Sequence, residues 1–198
     1  MIIGITGGSG TGKSLASEFF KENGFLVIDF DKISRDVSKK GSDCLRELHL
    51  VFGDAILNPD GTLSRKKLGE IVFSDKEKLA ILNEITHKYI IKEAIKIKET
   101  TDAKNIIYDA PLLFEAGLDS ECDFVISVLA DKEKRIERIM ERDSISMEYA
   151  KRRIESQKCD EFYIEKSDFC VYNNGDKDAF LSECSKILRS KLDESVNI

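Results

Sequence analysis

Several things are scarce in this 198-residue sequence, and each scarcity closes off a class of protein. No apolar run approaches the ~20 residues that a membrane helix needs. There are two histidines, His49 and His87, and five cysteines without a C-x-x-C pair. That argues against a zinc site, and the odd cysteine count argues against a disulfide framework. Reduced thiols in a cytosolic chain are the expectation. The two prolines are Pro59 and Pro111, and no stretch is rich in Pro, Gly or Ser, so no linker marks a domain boundary. No internal repeat or low-complexity tract is present. Positive charge is not in excess: the net charge is −6 and the pI about 5.2. A broad duplex-binding surface is therefore disfavoured, although a local site for phosphates is not. The opening Met1-Ile2-Ile3-Gly4-Ile5 lacks the basic region, long apolar run and small-residue site of a signal peptide. The chain is expected to be soluble and cytoplasmic, to bind neither nucleic acid nor membrane, and to act as a monomer or small homo-oligomer.

What is present is ordinary globular composition, 41% hydrophobic and 34% charged, in a chain long enough for a sizeable core. Apolar, β-rich runs occur at 2–5, 25–28, 105–108 and 123–129, with a weaker one at 169–172. Each is mostly apolar, as a strand covered on both faces should be. Helical spacing of apolar residues fills the intervals at 13–23, 79–97, 131–143, 146–158 and 176–191. Strands alternating with helices predict a parallel α/β sheet with right-handed crossovers. The second and third strands are separated by about 75 residues, far more than one crossover helix needs. That interval reads as an inserted helical region with a turn at Asn58-Pro59-Asp60-Gly61.

The strongest signal is Gly7-Gly8-Ser9-Gly10-Thr11-Gly12-Lys13-Ser14, which fits G-x-x-x-x-G-K-[ST] in full. Glycines let the chain curl so that successive backbone N–H groups converge on phosphate oxygens. The helix that opens at Lys13 offers its positive dipole end to the same group. Gly8, Ser9, Gly10, Thr11, Gly12, Lys13 and Ser14 are thus candidates to hold ATP, with Lys13 on the β- and γ-phosphates and the Ser14 hydroxyl on Mg²⁺. The motif follows an apolar strand and opens a helix, the context it requires. The fold expected is a three-layer P-loop NTPase fold: a five-stranded parallel sheet with helices on both faces, an inserted helical substrate region and a helical lid. Neither N-K-x-D nor D-x-x-G occurs, which disfavours a guanine-nucleotide switch.

Three further segments point to a kinase. Asp31 follows the second strand, where a carboxylate can accept the proton of an attacking hydroxyl. Asp29, two residues earlier, can hold a water on Mg²⁺, and the alternative for either Asp is a cap on the next helix. Ile106-Ile107-Tyr108-Asp109 is an apolar strand ending in a carboxylate that can support Mg²⁺ or its waters. Residues 132–158 hold nine Lys or Arg against six Asp or Glu, in a chain whose net charge is −6. Such a basic helical pair resembles the lid that closes over ATP in nucleoside-monophosphate-type kinases. Arg138 and Arg142 lie four apart on one face of it.

Together these residues resemble the dephospho-coenzyme A kinase family, and the likeness runs over almost the whole chain. It is carried by the P-loop, by Asp29-Phe30-Asp31 with Arg35, by 63–73 and Ile85-Thr86-His87, and by Asp109-Ala110-Pro111-Leu112-Leu113-Phe114-Glu115. It continues through Arg138-Ile139-Met140-Glu141-Arg142-Asp143, Gln157, Ser167-Asp168 and Asn173-Asn174-Gly175. Lys88, Arg135, Cys159 and Tyr163 depart from the family pattern.

The resemblance implies transfer of a phosphoryl group from ATP, with Mg²⁺, to the ribose 3′-hydroxyl of dephospho-coenzyme A. It makes Asp31 the base, Lys13 and Arg142 the groups that stabilise phosphoryl charge, and Arg138 and Asn173 contacts to ATP. Arg35, His87, Asp109 and Leu112 fall to the acceptor, and Asp29 and Asp109 join Ser14 at the metal. His87 is read equally well as a structural histidine. The implied organisation is one kinase domain over 1–198, with a coenzyme-A-binding insertion at about 30–104 and a lid at about 132–160. The alternatives are another small-molecule kinase on the same scaffold, acting on a nucleotide, shikimate or a sugar acid, or a nucleotide-gated ATPase.

Overall fold

The computed structural model describes residues 1–73 and 75–196. Five strands form one sheet: β1 (Ile2–Thr6), β2 (Leu26–Asp29), β3 (Ile106–Asp109), β4 (Phe124–Leu129) and β5 (Phe169–Tyr172). Their spatial order is β2-β3-β1-β4-β5. β1 runs parallel to both β3 and β4, with Ile5 opposite Asp109 and Thr6 opposite Ser127, and β4 runs parallel to β5. Strand order reverses at β1, so this is the position at which an open α/β sheet offers a crevice at its carboxyl edge.

Alternate residues of β1 face opposite sides. Ile3 and Ile5 are fully buried with Ala16 and Phe20 of α1 (Lys13–Glu22) and with Phe180, Cys184 and Leu188 of α9 (Lys177–Val196). Phe20 stacks edge-on to Phe19 and Phe25, with centroids 5.3 and 5.5 Å away. Truncating a core aromatic of this kind costs ~3–5 kcal/mol. Gly4 faces the other side, where a Cβ would stand 2.8 Å from Leu113 and 3.2 Å from Val125. With helices around this parallel sheet, the expected fold class holds.

The chain divides into two compact units, Met1–Ile28 with the chain from Ala103 onward, and Asp29–Asp102. The second is helical: α2 (Phe30–Val37), α3 (Asp43–Phe52), α4 (Arg65–Val72) and α5 (Lys76–Glu99). Its core is Cys44, Leu48, Ile56, Leu68, Val72 and Ile85. Side-chain caps start each helix, from Asp29, Ser42, Ser64 and Asp75 in turn.

The helix expected at 146–158 ends early, at Glu155, and a further short helix follows beyond the expected span. After α6 (Lys132–Asp143), α7 (Met147–Glu155) closes with a tightened turn in which Gln157 N donates to Ile154 O. α8 (Asp160–Lys166) then begins, with Asp160 and Glu161 in its first turn and Tyr163 buried. Acidic groups at that end complement the helix dipole. All five cysteines are free. Burial pushes the Cys44 and Cys184 thiols up to about 11.

Candidate active site

β1 ends at Thr6 and α1 begins at Lys13, so residues 7–12 form the loop between them. Thr11, fully buried, ties the loop to itself by donating to the Gly8 carbonyl at 2.9 Å. Lys13 Nζ donates to the Gly7 carbonyl at 2.8 Å and to that of Gly8 at 3.3 Å. Gly12 is the N-cap of α1 in the left-handed region, φ 101°, and supplies no side-chain acceptor to the first turn, which also lacks acidic residues. Orphan N–H groups of that kind, on a helix of this length, make an anion site.

The other wall of the loop is protein. Asn173, at the end of β5, donates from Nδ2 to the Thr11 carbonyl at 2.9 Å. A Cβ on Gly12 would collide with that amide, so glycine is required there by packing as well as by φ. Arg138 donates to the Gly10 carbonyl at 3.2 Å and to Asn173 Oδ1 at 3.4 Å. Asn174 exchanges two bonds with Asp131, at 2.8 and 2.9 Å, and so fastens β5 to the start of α6.

Asp109 lies at the end of β3, beside β1, and its Oδ2 accepts from Ser17 Oγ at 2.7 Å. Ser17 lies one turn after Ser14 on α1. Ser14 is exposed at the helix start, and Leu112 is 57% exposed three residues past Asp109. Among the described residues no group of three or more His, Cys, Asp or Glu side chains could hold a metal. The donors near the loop are hard oxygens few in number, which suits a cation that keeps its waters and leans on phosphates.

The expected site residues have different fates. Arg138 and Asn173 meet each other and the loop at Gly10, Thr11 and Gly12, and Thr11 bonds Gly8. Arg142 instead lays its guanidinium on Asp143, with bonds of 2.8 and 2.9 Å. In the helical unit, Asp29 accepts from Lys32 N at 2.8 Å, so it caps α2. Asp31 and Arg35 are exposed on α2, and His87 is half-buried on α5. Beside it Lys88 pairs with Glu47 at 2.6 Å, and Tyr89 donates to the same carboxylate at 2.7 Å. These bonds, Lys88 first, hold the Glu47 carboxyl below the usual carboxylate range.

Two residues outside the expected site set also touch the loop. Gln157 accepts from Ser9 N at 2.8 Å and donates to Ser9 Oγ at 2.9 Å. Arg135 donates to the Ser9 carbonyl at 3.0 Å. The sequence marked Gln157 as part of the family likeness and Arg135 as a departure from it, without assigning either to the loop.

The family model for dephospho-CoA kinase matches residues 1–178. The chain belongs to the dephospho-CoA kinase family. A relative so named from Fusobacterium nucleatum is 47% identical over 174 residues, which cover 88% of this chain and 90% of that one. A solved dephospho-CoA kinase from Campylobacter jejuni is 33% identical with a TM-score of 0.66, covering 95% of each chain. A solved Thermus thermophilus protein superposes more closely, with a TM-score of 0.84 at 28% identity over 98% of this chain and 97% of that one. The family is one of ATP-dependent kinases in coenzyme A biosynthesis, and it does not favour a nucleotide, shikimate or sugar-acid acceptor or a nucleotide-gated ATPase. Among the described residues no helix is long and apolar enough to cross a membrane.

Proposed function

We infer that the loop between β1 and α1 holds ATP for phosphorylation of the ribose 3′-hydroxyl of dephospho-coenzyme A, giving coenzyme A and ADP. The observation that carries the reading is the loop itself, a glycine-capped helix start with Lys13 and Ser14, in a chain matched by the family over residues 1–178. Backbone N–H groups of the loop and the α1 N-terminus bind the phosphates. Lys13 leaves its two carbonyl partners to meet the β/γ oxygens. Ser14, with Asp109 behind it, is the protein's share of a Mg²⁺ site, and Asp29 is assigned there through a water. Bound there, the cation neutralises charge on the phosphate oxygens.

Asp31 takes the proton of the acceptor hydroxyl, and Arg142, released from Asp143, stabilises the transferring group. Arg138 and Asn173 shape the nucleotide side. Arg35, His87 and Leu112 are assigned to the acceptor, the insertion at about 30–104 to coenzyme A recognition, and residues 132–160 to a lid. The protein works as a monomer or small homo-oligomer in the cytoplasm, without nucleic acid or membrane.

The test is ADP release with ATP and Mg²⁺, adding dephospho-coenzyme A, AMP, CMP and shikimate singly. Stimulation by dephospho-coenzyme A alone, with a 3′-phosphorylated product by mass, is expected. Turnover with another acceptor instead would sink the substrate. In the same assay Asp31→Asn folds and loses about 10²–10⁴ in kcat, and near wild-type turnover removes Asp31 from the mechanism.

A further inference from the structure

Ser9 is at the tip of the P-loop between Gly8 and Gly10, where the backbone has the most freedom to lose. Yet every polar group it carries is already bonded. Its N–H donates to Gln157 Oε1 at 2.8 Å, its hydroxyl accepts from Gln157 Nε2 at 2.9 Å, and its carbonyl accepts from Arg135 Nε at 3.0 Å. Arg135 is 4% exposed, among the few buried charged or polar residues of the chain. Its remaining nitrogens reach Gln157 Oε1 at 3.3 Å and Asp160 Oδ1 at 3.2 Å. One guanidinium therefore joins the loop tip to the turn after α7 and to the first turn of α8. The Arg135 backbone lies against the loop too, since a Cβ on Gly10 would come 2.7 Å from its carbonyl. A Cβ on Gly8 would run into the guanidinium.

An arginine is seldom buried unless its fork is satisfied, and here the fork spans partners 126 and 25 residues away in sequence. Such an expenditure of charge at a glycine-flanked tip fits a preorganising role. We propose that Arg135 is a positioning residue that latches the P-loop tip, through Ser9 and Gln157, in the curl that accepts the nucleotide. Ser9 in this scheme is held by protein and gives no polar group to the phosphates. Loss of the latch leaves ATP to order the tip on binding, so affinity falls. The proposal rests on the loop as the nucleotide site.

The experiment is equilibrium binding of ADP by calorimetry, without acceptor, alongside steady-state kinetics. Arg135→Met keeps the bulk and removes the donors. It is expected to weaken ADP about tenfold and to raise KM for ATP similarly, with KM for dephospho-coenzyme A unmoved. Arg135→Gln restores one donor towards Ser9 and is expected within about threefold of wild type. A purely structural arginine would lower the melting temperature of both variants and leave ADP affinity within twofold, which overturns the proposal. So does a Gln variant as impaired in binding as the Met variant. Should Arg135→Met fail to fold, Gln157→Ala, at a half-buried position, releases the other side of Ser9. It is expected to weaken ADP by a similar factor, and unchanged affinity counts against the latch. In the double variant the two losses should be less than multiplicative, whereas independent losses overturn the coupling. Lys13→Met separates the premises: if it binds ADP as well as wild type, the loop reading fails and takes the latch with it.

Discussion

The two ends of the basic helix α6 use the same residue type in opposite ways. Arg135, Arg138 and Arg142 fall at spacings of three and four, so they form one stripe about 10 Å long on the helix surface. The inner pair is spent on the P-loop, with Arg135 on Ser9 and Arg138 on Gly10, in surroundings where Ile139 is fully buried. The outer end is paired only with its own neighbourhood. Arg142, 60% exposed, and Arg153 of α7 both bond the single carboxylate of Asp143. Just beyond it Ser144 holds φ 52°, a conformation rare outside glycine. A buried guanidinium fixed to three partners is part of the scaffold, whereas an exposed one on a carboxylate can exchange that partner for a phosphate at little cost. Basic charge along α6 is therefore not one property. The inner arginines shape the loop and the outer ones remain available to the reaction.

Removing the outer group should cost the most rate and the least stability. Arg142→Ala is expected to lower kcat about 10²-fold, the size typical of losing one donor to a developing charge. Its ADP affinity should stay near wild type, and its stability should change by less than about 1 kcal/mol, as for an exposed ion pair. A change confined to KM for ATP would make Arg142 a binding group and erase the distinction between the two ends.

The inner end should behave in the reverse manner. Asn173→Ala removes a buried amide that serves Thr11 and Arg138 together. A loss of about 2 kcal/mol is expected from the groups left unpaired, which is about 4–8 °C in melting temperature for a chain of this size. ADP binding should weaken with it. A variant as stable as wild type would mean that the loop wall is not held from β5.

How much of this was legible beforehand follows the range of the contacts. The P-loop, the strand that precedes it and the helix that follows are one continuous stretch from Ile2 to Glu22, and they read directly. Asp109 also read correctly as the end of a strand, because four apolar-to-acidic residues carry that signal locally. The sheet order did not, since the pairing of β1 with β3 and β4 joins segments about a hundred residues apart and no local pattern specifies which edge meets which. The Ser9–Arg135–Gln157 cluster was hidden for the same reason: its members are 126, 148 and 22 residues apart. α8 was not among the expected helices, because its seven residues carry only the short apolar run Phe162-Tyr163-Ile164 and no helical period. The glycines of the loop were read for their phosphates, but Gly8, Gly10 and Gly12 are also demanded by side chains and backbone pressed against them from the protein side.

The smallest effect gives the cleanest contrast. The Asp143 carboxyl is held down at about 2, first by the hydrogen bonds from Arg142 and, after an opposing push from desolvation, by those from Arg153. Its folded value lies below the ordinary 3.8, so the fold favours the ionised form. The resulting stabilisation is complete above about pH 4 and is lost as the pH falls through about 2. Melting temperatures of wild type and Asp143→Asn should accordingly differ by a constant small amount from about pH 7 to 5 and converge between about pH 4 and 2. High salt should shrink the gap at neutral pH, because the pair is open to solvent. ADP affinity should be the same in both proteins, since the inner contacts do not involve this carboxylate. A gap that persists to about pH 2 would show that packing rather than charge ties the outer arginines down, and the ease with which Arg142 changes partners would have to be abandoned.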